Sequence, residues 1–502
     1  MARRYKQGTA RMQQAMLPPR VEDYVGHDNA VRAIDAFVDT LDLQALGFKN
    51  SSGVLAPGQP AFDPAALLKL YLYGYTNRVH SSRRQERECR RNLEVIWLLE
   101  GLTPSYRTIA EFRRINGQAL KAANREFVLL CKALGLLGGE TIGIDGSFFN
   151  ASASDASILT KKQLEVDLQQ IERAIDSYSQ RLDDNDAQEG RNGALFADDP
   201  KLDEKLEALK QTQARKQAQL KQLQDSGETQ LSRTDPDARS LSKGKQHTVG
   251  YNVQSTVDAQ HKLIVHHEVT NAGNDSQQLS RQCTAAMDVL GVDTLDAVAD
   301  AGYYSETELA AAEAAGVSVY VPIPDKHKAL NGQGRISGEQ FHYNSAVDAY
   351  VCPAGELLQP SGQPQAKNGV LRTRYTRPAS QCQDCPLQAV CLAKPDSARS
   401  VYRSEHAELV AAHRQRMAAH GAERMRQRAG LAEHPFGTLK RWFGWDHFLV
   451  RGFEKVRGEM SIMVLGYNLT RVINILGVVA FSEYCARSVH EMNKNCEAAM
   501  AT

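Results

Sequence analysis

The hydrophobic period of this chain changes repeatedly along its length, and those changes constrain its fold more than its composition does. Residues 62–137 read as helices: "FDPAALLKLYLYGYTN" opens with Asp63 as an N-cap and Pro64 at the first helical position, then places leucines and aromatics at helical spacing. "SSRRQERECRRNLEVIWLLEGL" predicts a further helix, dense in arginine on one side. "TPSYRTIAEFRRING" predicts another, with Thr108 and Glu111 in capping-box spacing and an end near Gly117. The period then switches: "ETIGIDGSFFNASAS" at 140–154 begins as an apolar strand and ends in a turn-forming Asp145-Gly146, which sets Asp145 at the strand's C-terminal end. From Leu164 a helical seam takes over, because Leu164, Leu168, Ile171, Ile175, Tyr178 and Leu182 alternate four and three residues apart, the spacing of a coiled coil. Leu202, Leu206 and Leu209, then Leu220 and Leu223, continue a second such helix. Joined by the acidic "DDNDAQEGRNGALFADDP" at 183–200, the two form a helical hairpin, either packed on itself or used for dimer contacts. Residues 247–269 read as two strands around a turn at Asp258–His261, "VDTLDAVADAGYYS" as a strand closing on Asp300, and "AGVSVYVPIP" as one more short strand. The sum is a mixed α/β core interrupted by an insertion.

A chain of 502 residues is long for one compact domain and predicts two or three units. Its 60 basic and 59 acidic residues leave a net charge of +1, so bulk charge does not mark a nucleic-acid binder and local clusters must carry any such argument. Arg3, Arg4, Lys6, Arg11 and Arg20 fall in the first twenty residues without one acid. Arginines set on several short helices of one small domain, Arg83, Arg84, Arg113 and Arg114 among them, predict binding to a DNA backbone. No secretory signal opens the sequence. The apolar run "SIMVLGYNLTRVINILGVVAF" at 461–481 is about membrane-spanning length but holds Asn468, Arg471 and Asn474, and reads as a buried helix of a soluble fold. Nine cysteines in that setting point to reduced thiols or a metal. Cys352, Cys382, Cys385 and Cys391 suit a tetrahedral zinc, with buried or free thiols as the alternative; the other five are scattered.

Three carboxylates stand out: Asp145 and Asp300 at strand ends and Glu433 near a proline-containing run, "AGLAEHPFGTLKRWFGW". Each alone has an ordinary reading as a turn residue or a helix-dipole partner. Brought together at one sheet edge, three hard oxygen ligands are what Mg²⁺ requires, and a pair of such ions serves phosphoryl transfer. Lys440 would then lie two turns beyond Glu433 on the same helix face, roughly 10 Å away, and grip a phosphate without neutralising the ligand. Arg441 would hold the backbone beside it. Trp442, Phe443 and Trp445 offer stacking surfaces for an unpaired base, or ordinary core packing.

"IGIDGSFF", "AVADAGYYS" and the segment from "RAGLAEHPFGTLKRWFG" to "GYNLTRVINIL" resemble the three catalytic segments of the DDE transposases of bacterial insertion sequences. The arginine-rich helices resemble that family's N-terminal domain, and "YVCPAGELL" with "CQDCPLQAVC" the cysteine-bearing insertion of one branch; the likeness covers most of residues 20–480. It implies a ribonuclease-H-like core in which Asp145, Asp300 and Glu433 bind two Mg²⁺ ions, with Mn²⁺ substituting, and Lys440 orients the strand. The family's signature often places a Tyr three residues before an Arg and that Arg four before the Glu. Here Arg428 is five before Glu433 and Met425 stands in place of the Tyr, so a phosphate-gripping Arg428 departs from the pattern. Glu459 is a rival third ligand, its place before the long apolar helix favouring a structural ion pair.

The resemblance further implies binding of terminal inverted repeats and target DNA, strand cleavage and strand transfer by a homodimer or larger assembly, in the bacterial cytoplasm at the nucleoid. A catalytically silent DNA-binding regulator and a metal-dependent nuclease are the alternatives. The expected organisation is a helical DNA-binding domain (1–137), a catalytic core (138–158, 246–340 and 403–485), a helical hairpin (159–245), a cysteine-containing insertion (341–402) and a tail (486–502).

Overall fold

The computed structural model describes residues 20–51, 60–192, 200–244, 246–325, 328–394 and 396–500. Arg3, Arg4, Lys6 and Arg11, and the side chains of Leu182 and Leu202, lie outside the described residues. By its internal contacts the chain divides into two units, one holding residues up to 130 with 438–445 and 454 onward, the other 131–437 with 446–453.

The first unit is helical. Helix Pro64–Thr76 starts as its sequence predicts, with the Asp63 carboxylate accepting from the Ala65 N–H at 2.7 Å. Leu67, Leu68 and every residue from Leu70 to Tyr75 are buried, so this helix is covered nearly all round. Helix Tyr106–Ile115 is capped by the Ser105 hydroxyl, which takes the Thr108 N–H, and not by a box begun at Thr108. The apolar run at 461–481 is not one helix either: Gly477, at φ +81°, separates helix Phe453–Leu476 from helix Val478–Met500. Among the described residues no single helix is long and apolar enough to cross a membrane. Backbones meet closely at Gly458, where an added Cβ would lie 2.6 Å from the Gly117 Cα.

The second unit is built on a twisted mixed sheet. Its strands are β1 (Thr141–Asn150), β2 (Gln246–Asp258), β3 (Ile264–Thr270), β4 (Leu295–Val298) and β5 (Val317–Tyr320). They lie in the order β3-β2-β1-β4-β5, antiparallel across β3, β2 and β1 and parallel across β1, β4 and β5, with Arg239–Lys243 also paired to β2. Parallel neighbours need crossovers. Helix α1 (Leu279–Leu290) lies in the connection that carries the chain from β3 across the sheet to β4, and helix α2 (Glu306–Ala314) supplies the crossover between β4 and β5.

Long helix α3 (Ala407–Gly437) lies on the sheet face that Gly143 and Asp145 share, since alternate strand residues point the same way. Leu431 packs there with Val298 and Tyr320, so close that a Cβ on Gly143 would be 2.7 Å from the Leu431 Cβ. The opposite face carries α1, whose Gln282 accepts from the buried Thr256 hydroxyl of β2.

Two expectations about this unit change. β1 does not stop at Asp145, because β2 pairs with it from Ile142 to Asn150, while β4 pairs only as far as Gly143↔Val298. Asp145 is therefore mid-strand, yet just past the end of its parallel neighbour. Nor does α3 stay α-helical as far as Lys440: it contains Pro435 and then widens at Thr438 into a π-helical turn through Trp442, closed by the Phe443 N–H on the Thr438 carbonyl at 2.9 Å. Lys440 thus lies in the π turn, out of the α-helical register that would put it on the face of Glu433.

The helices Lys161–Asn192 and Pro200–Ser226 pack on each other, with Leu164 and Leu223 buried against Leu159. Residues 342–404 form a separate six-stranded sheet around Phe341, Leu358, Tyr375 and Val401.

Candidate active site

Parallel pairing places the two aspartates. Gly143 stands beside Val298, and two residues further along each strand direction come Asp145 and Asp300. Asp300 opens a single 3₁₀ turn, Ala301–Tyr303, its Oδ1 accepting from the Gly302 N–H at 2.8 Å. From α3, Arg428 reaches both: its Nη2 is 3.5 Å from Asp145 Oδ1 and 3.7 Å from Asp300 Oδ2. The three side chains are 18, 30 and 21 % exposed, so this is a half-open cleft in which one guanidinium faces two carboxylates. The Arg428 Nε is buried without a hydrogen-bond partner. Beneath them the fully buried Tyr303 hydroxyl is held well above its usual pKa, by burial first and then by the charges of Asp275, Asp145 and Asp300.

Glu433 is not gathered with the pair. Leu431, Ala432, Pro435 and Phe436 form the buried face of α3, and a residue immediately after Ala432 turns toward solvent, where Glu433 is exposed. Among the described residues no group of three or more His, Cys, Asp or Glu is placed to hold a metal ion. Asp145 and Asp300 have the hard donors and the shared cation that a divalent ion's site needs; the third carboxylate does not fit in this arrangement.

The remaining predicted residues separate by burial. Arg83, Arg84, Arg114 and Arg441 are exposed, Arg83 lying over the Tyr106 ring and Arg114 pairing with Glu111. Arg113 must be corrected from a DNA contact to a core residue. Its guanidinium is 2.9 Å from Glu459, which also accepts from the Tyr75 hydroxyl at 2.6 Å. Glu459 is 1 % exposed, so this rival ligand belongs to a structural ion pair. The aromatics divide likewise. Trp442 is 68 % exposed with the Arg78 guanidinium 5.7 Å from its ring, whereas Phe443 and Trp445 are buried and stacked at 4.6 Å. Cys352, Cys382, Cys385 and Cys391 line one small cavity with Arg377 and Arg399. Burial raises the Cys391 thiol pKa, with the other three cysteines adding to it.

Sequence reasoning missed Arg78 and the buried polar set Asn252, Gln254 and Asp275. The signal for the latter was present: two amides at alternate positions of an otherwise apolar strand, "GYNVQSTV".

Comparison with known families gives two matches. Residues 19–114 match a family described as Transposase domain (DUF772), and residues 351–473 match one described as Transposase DDE domain. The second range contains Glu433 and Lys440; Asp145 and Asp300 lie outside both. Among solved structures, the cryo-EM structure of piggyBac transposase synaptic complex with hairpin DNA is similar over 92 % of this chain and 79 % of that chain, at 8 % identity and a TM-score of 0.32. That score is too low to bear on the fold. No curated protein matches the chain.

Proposed function

Since this chain belongs to the DDE-type transposases of the insertion-sequence kind, we propose that it binds the terminal inverted repeats of its own element, cleaves a strand there to free a 3′-OH, and joins that 3′-OH to target DNA. The convergence of Asp145 and Asp300 on Arg428 carries this reading. Two carboxylates converging at a half-open sheet edge offer the hard oxygen donors that a divalent cation takes. The sheet order, three antiparallel strands followed by two parallel ones, supports a ribonuclease-H-like class for the core.

Asp145 and Asp300 would hold the ion, Mg²⁺ or in its place Mn²⁺. When bound it supplies Lewis-acid stabilisation of the charge that builds up at phosphorus. The chain's own residues do the positioning: β1 and β4 fix the spacing of the carboxylates, and the Gly302 N–H orients the Asp300 side chain. Glu433 enters as third carboxylate by resemblance alone. Lys440, Arg441 and the exposed Trp442 with Arg78 are assigned to the DNA, as are Arg83, Arg84 and Arg114. Pairing two DNA ends calls for at least two protomers, and the hairpin of Lys161–Asn192 and Pro200–Ser226 is the proposed contact. The four cysteines line one cavity without being gathered at metal-binding spacing, so a structural zinc is proposed from their sequence pattern alone, with about one ion per chain lost in Cys385→Ser by elemental analysis.

The test is labelled terminal-repeat DNA incubated with Mg²⁺ and either wild type or Glu433→Gln. Cleavage at the repeat boundary, followed by joining, is expected from wild type alone. The exposed position of Glu433 favours one second reading, a catalytically silent DNA-binding derivative; binding without cleavage in both Mg²⁺ and Mn²⁺ would decide for it. Cleavage without joining would instead identify a nuclease.

A further inference from the structure

On the side of the sheet away from α3, a buried chain of polar side chains lies behind the two aspartates. Gln254 in β2 is fully buried and stands directly opposite Gly146 in the β1 register. Its amide nitrogen donates to Asp275 Oδ1 at 2.6 Å, and Asn252, on the same face, donates to that same oxygen at 2.8 Å. The Gln254 carbonyl oxygen accepts from the Tyr303 hydroxyl. Tyr303 closes the turn that Asp300 opens, donating its backbone N–H to the Asp300 carbonyl at 3.1 Å.

This chain has a direction. A carboxylate only accepts, so Asp275 forces the Gln254 amide nitrogen toward itself and the carbonyl oxygen toward Tyr303, whose hydroxyl must then donate. The same side chains also press on the strand that carries Asp145. A Cβ added at Gly146 would lie 2.5 Å from Gln254 Nε2 and 2.7 Å from Asp275 Oδ1, so a larger residue after Asp145 would displace these side chains.

We infer that Asp275, Gln254 and Tyr303 are positioning residues that set the relative placement of Asp145 and Asp300 for a divalent cation. The inference rests on the reading of those two aspartates as the metal pair. None of the three needs to touch the ion: Tyr303 anchors the Asp300 turn, Gln254 abuts Gly146, and Asp275 locks the orientation of Gln254.

The experiment is a Mn²⁺ titration of the full-length, DNA-free protein, followed by the EPR signal of free Mn²⁺, with thermal midpoints measured in parallel. Asp145→Asn marks the site. Tyr303→Phe is expected to weaken Mn²⁺ binding about tenfold, the size typical of residues supporting metal ligands. Asp275→Asn is expected to weaken it less, because an amide can still accept from Asn252 and Gln254 but no longer dictates one orientation. Thr256→Val, which removes a buried hydrogen bond of the same strand and face, is expected to lower the thermal midpoint while leaving Mn²⁺ affinity unchanged. Wild-type Mn²⁺ affinity in both Tyr303→Phe and Asp275→Asn would overturn the positioning role. Equal Mn²⁺ binding by wild type and Asp145→Asn would overturn the metal pair itself, and the relay's purpose with it.

Discussion

Two arginine–carboxylate clusters in this molecule use the same chemistry in opposite ways. In the helical unit, Arg113 and Glu459 are 7 and 1 % exposed, 2.9 Å apart, and share the Tyr75 hydroxyl. In the sheet unit, Arg428 faces Asp145 and Asp300 at 3.5 and 3.7 Å with all three side chains partly open. The first brings short, hydrogen-bonded contacts to a buried Glu459, which is what a buried ion pair needs to persist. In the second, Arg428 stands from both carboxylates at distances beyond good hydrogen bonds. A sealed pair holds helices together; an open one keeps its carboxylates accessible to a cation.

Substitutions should separate the two clusters. The largest effect is expected at the open one: Asp145→Asn and Asp300→Asn should each abolish cleavage of terminal-repeat DNA while leaving end binding, read by gel shift, largely intact. Loss of binding in both would assign the carboxylates to structure and erase the contrast. At the sealed pair the loss should be one of stability. Arg113→Ala strands a buried Glu459 and should cost about 3–5 kcal/mol in urea unfolding.

The aromatics sharpen the contrast within the helical unit. Trp445, 1 % exposed and packed on Tyr75 and His80, should cost about 3–5 kcal/mol on truncation to alanine. Trp442→Ala, at an exposed site, should change stability by no more than about 0.5 kcal/mol and weaken DNA binding instead. Arg428→Gln, a loss from a partly open pair, should lower stability by no more than about 1 kcal/mol. A loss as large as that of Arg113→Ala would show the Arg428 cluster to be structural.

The sequence reading was strongest where the physics is local. Strands around Asp145 and Asp300, the turn near Asp258, the Asp63 cap and the short strand at 317–320 all follow from alternation, turn chemistry and capping, which act over a few residues. It failed where a partner was remote. Arg113 sits in an arginine-rich helix and reads as a surface charge until Glu459 is brought to it from 346 residues away. β1 outruns its turn signal because β2 pairs with its whole length. Ser105 caps the helix that Thr108 seemed to begin, since the first free N–H groups, not the spacing motif, decide the cap.

By itself, then, the sequence determined which residue types were available for chemistry and the alternation of helix and strand that brings Asp145 and Asp300 to one sheet edge. Tertiary structure alone decided which charges are sealed and which stay open, because burial depends on what packs from elsewhere in the chain. It turned Glu433 to solvent by committing Leu431, Ala432, Pro435 and Phe436 to the core, and it joined Asp275, Gln254 and Tyr303 into one hydrogen-bonded chain. Neither outcome has a local signature, since side-chain partners meet only after strands have paired and helices have docked.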